Sequence, residues 1–189
     1  MKPISNFDQA KATYSGESSP RIPAGAYVAR ITEVQDVPLD PATGKGQYLM
    51  INFDIAEGKY TGYYAEQFTR WGGNWRGTAR ASYKDKAAGM FKGLISAVEE
   101  ANPGYTWEWA EQTLVGKLVG VTLGEEEYWN KKTNQISTVV RQRGWCKVQD
   151  VRDGKVQTPK LRTLSDEEKA KFGVANAVPV ADADDELPF

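Results

Sequence analysis

Residues 47–55, QYLMINFDI, alternate without a break between an apolar set, Leu49, Ile51, Phe53 and Ile55, and a second set, Tyr48, Met50 and Asn52. A period of two held over nine residues predicts a β-strand with one face in a core. The stretch before it, DVPLDPATGKG, has the Pro, Asp and Gly chemistry of a connecting loop. Upstream of that loop, AYVARITEV (26–34) repeats the alternation, with Val28, Arg30, Thr32 and Val34 on one face and Tyr27, Ala29 and Ile31 on the other. A third strand is expected after the Gly58 turn, over GYYAEQFTRW (62–71), so the first half reads as an antiparallel meander.

The period then changes. KDKAAGMFKGLISAVEEA (84–101) sets Ala87, Met90, Phe91, Leu94, Ile95 and Val98 on one helical stripe, and Asn102-Pro103-Gly104 stops it. Two more strands are expected. The first is LVGKLVGVTLG (114–124), with Val115, Val119, Val121 and Leu123 inward; the second is STVVRQRGWCKVQDV (137–151), joined by the loop EEEYWNKKTNQ. Three strands, a helix and two strands predict a mainly β protein: a five-stranded oligonucleotide/oligosaccharide-binding (OB-fold) barrel with its helix between strands 3 and 4. The expected organisation is a flexible arm over 1–21, the barrel over 22–151, a linker over 152–172 with a short helix in SDEEKAKF, and a disordered tail over 173–189.

Composition narrows the chemistry. The 189 residues include no histidine and one cysteine, Cys146. That removes Ser-His-Asp and Cys-His nucleophile systems, His-ligated zinc and intrachain disulfides. Neither common phosphate-cradling glycine motif occurs. The acidic run Glu125-Glu126-Glu127 is the one place to look for magnesium-dependent nuclease chemistry, but no second carboxylate group of matching spacing accompanies it. A solvated turn accounts for it better, so neither an enzyme nor a cofactor or metal is expected. No apolar stretch is long enough to span a membrane, and MKPISNFDQA carries no signal-peptide core, so a cytoplasmic protein is expected. The net charge of −1 conceals an asymmetry. Residues 165–189 hold seven acids against two lysines, a net of −5, while residues 1–164 hold 22 basic and 18 acidic groups, a net of +4.

Aromatic and basic residues interleave twice. The first set is Arg70, Trp71, Trp75, Arg76, Arg80 and Tyr83, around the glycine-rich GGNWRG; the second is Trp129, Lys131, Lys132, Arg141, Arg143, Trp145 and Lys147. Indole and phenol rings stack on bases and guanidinium or ammonium groups pair with phosphates, so a groove with both binds single strands with little sequence preference. Trp75 has no apolar partner nearby in sequence, which favours a binding role, whereas Trp107 and Trp109 beside the helix breaker read as packing residues. Surface aromatics serve sugars or protein partners too, so an adaptor binding protein or carbohydrate stays open as the alternative.

The C-terminus is an acidic run ending in Leu-Pro-Phe: Asp182, then Asp184, Asp185, Glu186, Leu187, Pro188 and Phe189. It resembles the C-terminal tip of bacterial-type single-stranded DNA-binding proteins. The body, through IPAGAYVARITEVQ (22–35), YLMINFDIAEGKYTGYYAEQF (48–68), FKGLISAVEEANP and LVGKLVGVTL, resembles small phage-encoded single-stranded DNA-binding proteins. The resemblance implies a barrel that coats single-stranded DNA and a flexible tail that recruits replication, recombination or repair proteins, in a host cytoplasm if the chain is phage-encoded. It leaves the oligomeric state open, homo-oligomers included. The glycine-tryptophan loop at 72–77 has no counterpart in it, so that loop's role rests on its chemistry alone.

Overall fold

A computed structural model describes residues 21–172; the arm over 1–20, the tail over 173–189 and its docking tip lie outside the described residues. The protein is mainly β. Five antiparallel strands, β1 (Gly25–Val37), β2 (Tyr48–Ile55), β3 (Thr78–Ser82), β4 (Leu118–Asn130) and β5 (Gln135–Cys146), form one sheet in the order β3-β2-β1-β4-β5. Among the described residues no ladder joins β3 to β5, so the sheet is open at both ends. Helix α2 (Ala88–Ala101) lies between β3 and β4, as expected. Of the described helices, none is long and apolar enough to cross a membrane.

β2 keeps the alternation read from it: Leu49, Ile51, Phe53 and Ile55 are buried, Tyr48, Met50 and Asn52 half-buried on the other face. β1 does not keep a single parity. A register shift against β2 between Ile31 and Glu33 inserts one residue, so Ala29 and Ile31 face inward before it and Val34 faces inward after it. One bulge thus moves the apolar side chains from odd to even positions.

The segment 62–71 is corrected from strand to helix: α1 spans Tyr63–Trp71. Tyr64, Phe68 and Trp71 stand at i, i+4 and i+7, a helical stripe that also passes for alternation if read over a few residues. A carboxylate settles the matter. Asp54, buried at the end of β2, accepts the amide hydrogens of Tyr64 (2.9 Å) and Ala65 (3.1 Å), two of the donors a first helical turn leaves without partners. The third strand is instead TARAS, where Ala79 and Ala81 face the core and Thr78, Arg80 and Ser82 face out.

β4 runs six residues past its expected end, and the supposed loop EEEYWN is strand paired to β5 as far as Asn130. Its free edge beyond β1 is covered by a later segment: Glu127 N donates to Arg162 O, and Arg162 N to Glu125 O. β5 stops at Cys146, and the expected strand residues after it form the short helix α3 (Val148–Arg152). The short helix expected near 165–172 is α4 (Asp166–Lys171), closed by a capping box between Ser165 and Glu168. Val115, expected inward, is exposed, because β4 begins only at Leu118.

Two apolar clusters fill the concave side of the sheet. One packs Phe91, Leu94, Ile95 and Val98 of α2 on Ile31, Val34, Leu49, Ile51 and Val119. The other gathers Ala29, Phe53, Ile55, Tyr64, Ala79, Val121 and Leu123. Trp145 touches both. Asn102, at the end of α2, ties the helix to β4: its amide donates to Val98 O (2.6 Å) and Leu118 O (2.9 Å) and its oxygen accepts from Leu118 N (3.0 Å).

Candidate nucleic-acid interface

β3 positions the most coherent part of the site. With its alanines inward, β3 turns Thr78, Arg80 and Ser82 outward, and Arg76 and Lys84 flank it at bends on either side. Pairing with β2 sets Arg80 opposite Met50 and Ser82 opposite Tyr48, and the Arg80 guanidinium lies 5.2 Å from the centre of the half-exposed Tyr48 ring. That is a cation–π contact on the outer face. Lys84 reaches back to Gly44 O in the β1–β2 loop (3.4 Å), beside Lys45. At the other end, Thr78 donates to Asn52 (2.8 Å), and Asn52 donates to Glu33 (2.7 Å).

α1 and the loop after it approach β3 at Arg76. Phe68 and Trp71 are exposed there and, with Tyr64, Gln67, Asn74 and Arg76, line a shallow depression. Arg70 pairs with Glu66 across one helical turn (3.5 Å). Trp75 is placed differently from its expectation. Its indole packs on the second core cluster beside Phe68, ring centres 5.9 Å apart, and Nε1 donates to Phe53 O and Gly77 O, both at 3.2 Å. Its ring partner is Phe68 of α1, and β2 supplies the Phe53 carbonyl that its Nε1 donates to. Gly77 is needed for this approach, since a Cβ there would sit 2.2 Å from Phe53 O and 2.6 Å from the Tyr64 ring.

Tyr83 follows the same pattern. Its ring packs edge-on against Phe91 (6.1 Å) and its hydroxyl donates to Asp36 (2.7 Å). That hydrogen bond, with burial, pushes the phenol up to about 12.

The second expected constellation is split. A register shift between Thr122 and Leu123 leaves Arg143 unpaired in the β4–β5 ladder, so Arg141 and Arg143 face outward while Trp145 turns into the core. The four residues 141, 143, 145 and 147 therefore do not share one face. Arg141 (2.9 Å), Arg143 (3.3 Å) and Arg162 (3.9 Å) converge on the Glu126 carboxylate. Lys147 pairs with Glu100 (2.7 Å), which raises its pKa. Trp129 stacks on Phe172 (5.7 Å, planes 13° apart). Lys131 and Lys132 are exposed at the hairpin tip, where Asn130 Oδ1 accepts from Lys132 N (3.0 Å). In the acidic run, Glu127 accepts from Leu164 N (3.0 Å) and Glu126 holds the arginines on the opposite face. Among the described residues, no group of three or more His, Cys, Asp or Glu is placed to hold a metal ion.

Trp71 and Arg76 thus lie in the depression beside β3 and Arg80 on the strand, Arg70 stays with Glu66 on α1, and Trp75, Tyr83 and Trp145 are half-buried against the core clusters. Tyr48 and Lys84 were missed. Tyr48 was legible as an outward residue of β2, but nothing in the sequence pairs it with Arg80. No protein-family model matches the chain, and no match to a curated protein reaches significance.

Proposed function

We propose that the protein binds single-stranded DNA without catalysing a reaction, along the outer face of β2 and β3. The observation that supports this best is Arg80 on the outer face of β3 over the Tyr48 ring, with Arg76 and Lys84 flanking the strand. Charged groups along an edge strand pair with phosphates, and Tyr48, Trp71 and Phe68 offer faces to bases. The strand order β3-β2-β1-β4-β5 with a helix after β3 is the order an OB barrel would have once β3 and β5 closed, and we read the fold as a relative of it.

The acidic tip Asp182–Phe189 then recruits replication, recombination or repair proteins: its carboxylates meet basic rims and Phe189 enters a small pocket. Such a protein works in the cytoplasm, or a phage host's cytoplasm. Titration of labelled oligo-dT at two salt concentrations, read by intrinsic fluorescence, tests the reading. Single strands should bind ahead of duplex, and affinity should fall steeply with salt. Salt-independent binding would favour an adaptor that recognises sugar or protein, and equal affinity for duplex would overturn the single-strand assignment.

A further inference from the structure

The loop GGNWRG (72–77) was expected to present Trp75 to a base, but that indole packs on the core. The loop presents the neighbours of the indole instead. α1 ends where Gly72 N donates to Phe68 O (2.8 Å), and Gly72 and Gly73, with φ 62° and 80°, turn the chain back. Trp75 then fastens the loop through the Phe68 ring and the carbonyls of Phe53 and Gly77. Asn74 and Arg76, on either side of this anchor, are exposed and line the same depression as Gln67, Phe68 and Trp71 of α1. A loop anchored at its centre holds the flanking side chains in place before any ligand arrives.

The polar groups of the depression differ in kind. Gln67 Nε2 donates to Tyr63 Oη (2.7 Å), which also accepts from Ile22 N (3.2 Å). The amide is thereby oriented, and the group it keeps for a ligand is the Oε1 acceptor. Arg76 forms no ion pair among the described residues, and its forked guanidinium only donates. Phe68 and Trp71 add two exposed aromatic rings. Rings beside a two-pronged donor and one acceptor fit a flat base whose edge carries two adjacent acceptors followed by a donor. Guanine has that order in N7, O6 and N1–H, and cytosine has it in O2, N3 and the N4 amino group. Adenine and thymine do not, because each sets a donor between two acceptors. We propose, resting on the single-strand reading above, that the depression takes one unstacked base and selects guanine or cytosine, with Arg76 on the two acceptors and Gln67 Oε1 on the donor. Phosphate contacts along β3 carry no such preference.

Fluorescence anisotropy of labelled oligo-dT with the full chain tests this, one central thymine being replaced by guanine, cytosine, adenine or 7-deazaguanine. The guanine and cytosine strands should bind about fivefold tighter than unsubstituted oligo-dT, the lower end for one two-pronged base contact. The adenine strand should match oligo-dT, and the loss of N7 in 7-deazaguanine should remove most of guanine's advantage. Arg76→Lys keeps the charge but not the fork, so it should abolish the preference while changing affinity for oligo-dT by less than about twofold. Equal affinity for all the strands, or an adenine strand that binds as tightly as the guanine strand, overturns the base-selecting pocket and leaves single-strand binding standing. A preference that survives Arg76→Lys overturns it too. Failure to bind any of the strands overturns both the pocket and the single-strand reading.

Discussion

Phe53 of β2 and Trp145 of β5 meet edge to face, ring centres 6.0 Å apart, although β1 and β4 lie between their strands in the sheet. In a flat sheet, strands three places apart would be separated by about 14 Å. The sheet is therefore strongly curled, and the Trp145 indole fills the space its two ends enclose. Because the indole is half-buried, Trp145→Ala should cost about 2–3 kcal/mol of folding stability, below the range for a fully buried core aromatic. Urea unfolding measures it. A loss under 1 kcal/mol would show that the indole is not a core element.

The same logic changes what is expected of Trp75. A solvent-exposed stacking residue could be removed at little cost to stability, but this indole packs on the second cluster and donates to Phe53 O and Gly77 O. Trp75→Ala should lower the melting temperature by several degrees, and Gly77→Ala should do so too, because its methyl would overlap Phe53 O and the Tyr64 ring. An unchanged melting temperature for both would place the loop outside the fold's stabilising contacts.

How much of this was legible in the sequence depended on whether a segment's partners lay within it. β2 and α2 carry their own burial pattern, and both were read, except that Met90, expected on the inward stripe of α2, is exposed. β3 was not, because its inward positions are Ala79 and Ala81: the bulk they pack against is supplied by β2, α1 and α2, which leaves the strand itself with no apolar alternation to see. α1 was misread because its decisive capping group, Asp54, lies ten residues upstream of Tyr64. The second aromatic-basic set does not share one face for a related reason. A single bulge, invisible in the sequence, sends Trp145 inward and leaves its arginine neighbours to Glu126.

Asp54 itself makes a sharp prediction. Besides the two α1 amides it accepts from Ile55 N (2.8 Å), so its carboxylate holds three donors at a buried position. Asp54→Ala removes the acceptor and should cost about 2 kcal/mol, the upper range for loss of a helix cap. Amide exchange should quicken first over Tyr63–Trp71. Uniform acceleration across the whole domain, with α1 no different, would argue against a local capping role.

Tyr83 offers a pH test. Its hydroxyl donates to Asp36, which favours the protonated phenol and moves its titration from 10.0 up to about 12. The folded state thus gains stability that is complete below pH 10 and lost as pH rises from about 10 to 12. Asp36→Asn should bring the phenol back toward 10, followed by NMR titration of ring-labelled tyrosine. A Tyr83 resonance that titrates near 10 in the unaltered protein would mean that the hydrogen bond is not formed in solution.

The last prediction separates two arginines that the sequence treated alike. Arg80 sits over Tyr48 on the outer face with no carboxylate partner in an ion pair among the described residues, whereas Arg141 is held at 2.9 Å by Glu126, a carboxylate it shares with Arg143 and Arg162. A phosphate contact by Arg80 releases a counterion, but one by Arg141 first requires breaking an ion pair. Arg80→Ala should therefore weaken oligo-dT binding and reduce the slope of log affinity against log salt by roughly 0.7, the value for one phosphate contact on a single strand. Arg141→Ala should leave the slope almost unchanged. Tyr48→Ala should lower affinity by about 1–3 kcal/mol while altering the salt slope little, because a stacked ring holds a base rather than a phosphate. Fluorescence titrations of the three variants at several salt concentrations measure all of this. The opposite ranking, with Arg141 controlling the salt dependence and Arg80 and Tyr48 without effect, would move the DNA path from the β2–β3 face to the β4–β5 arm.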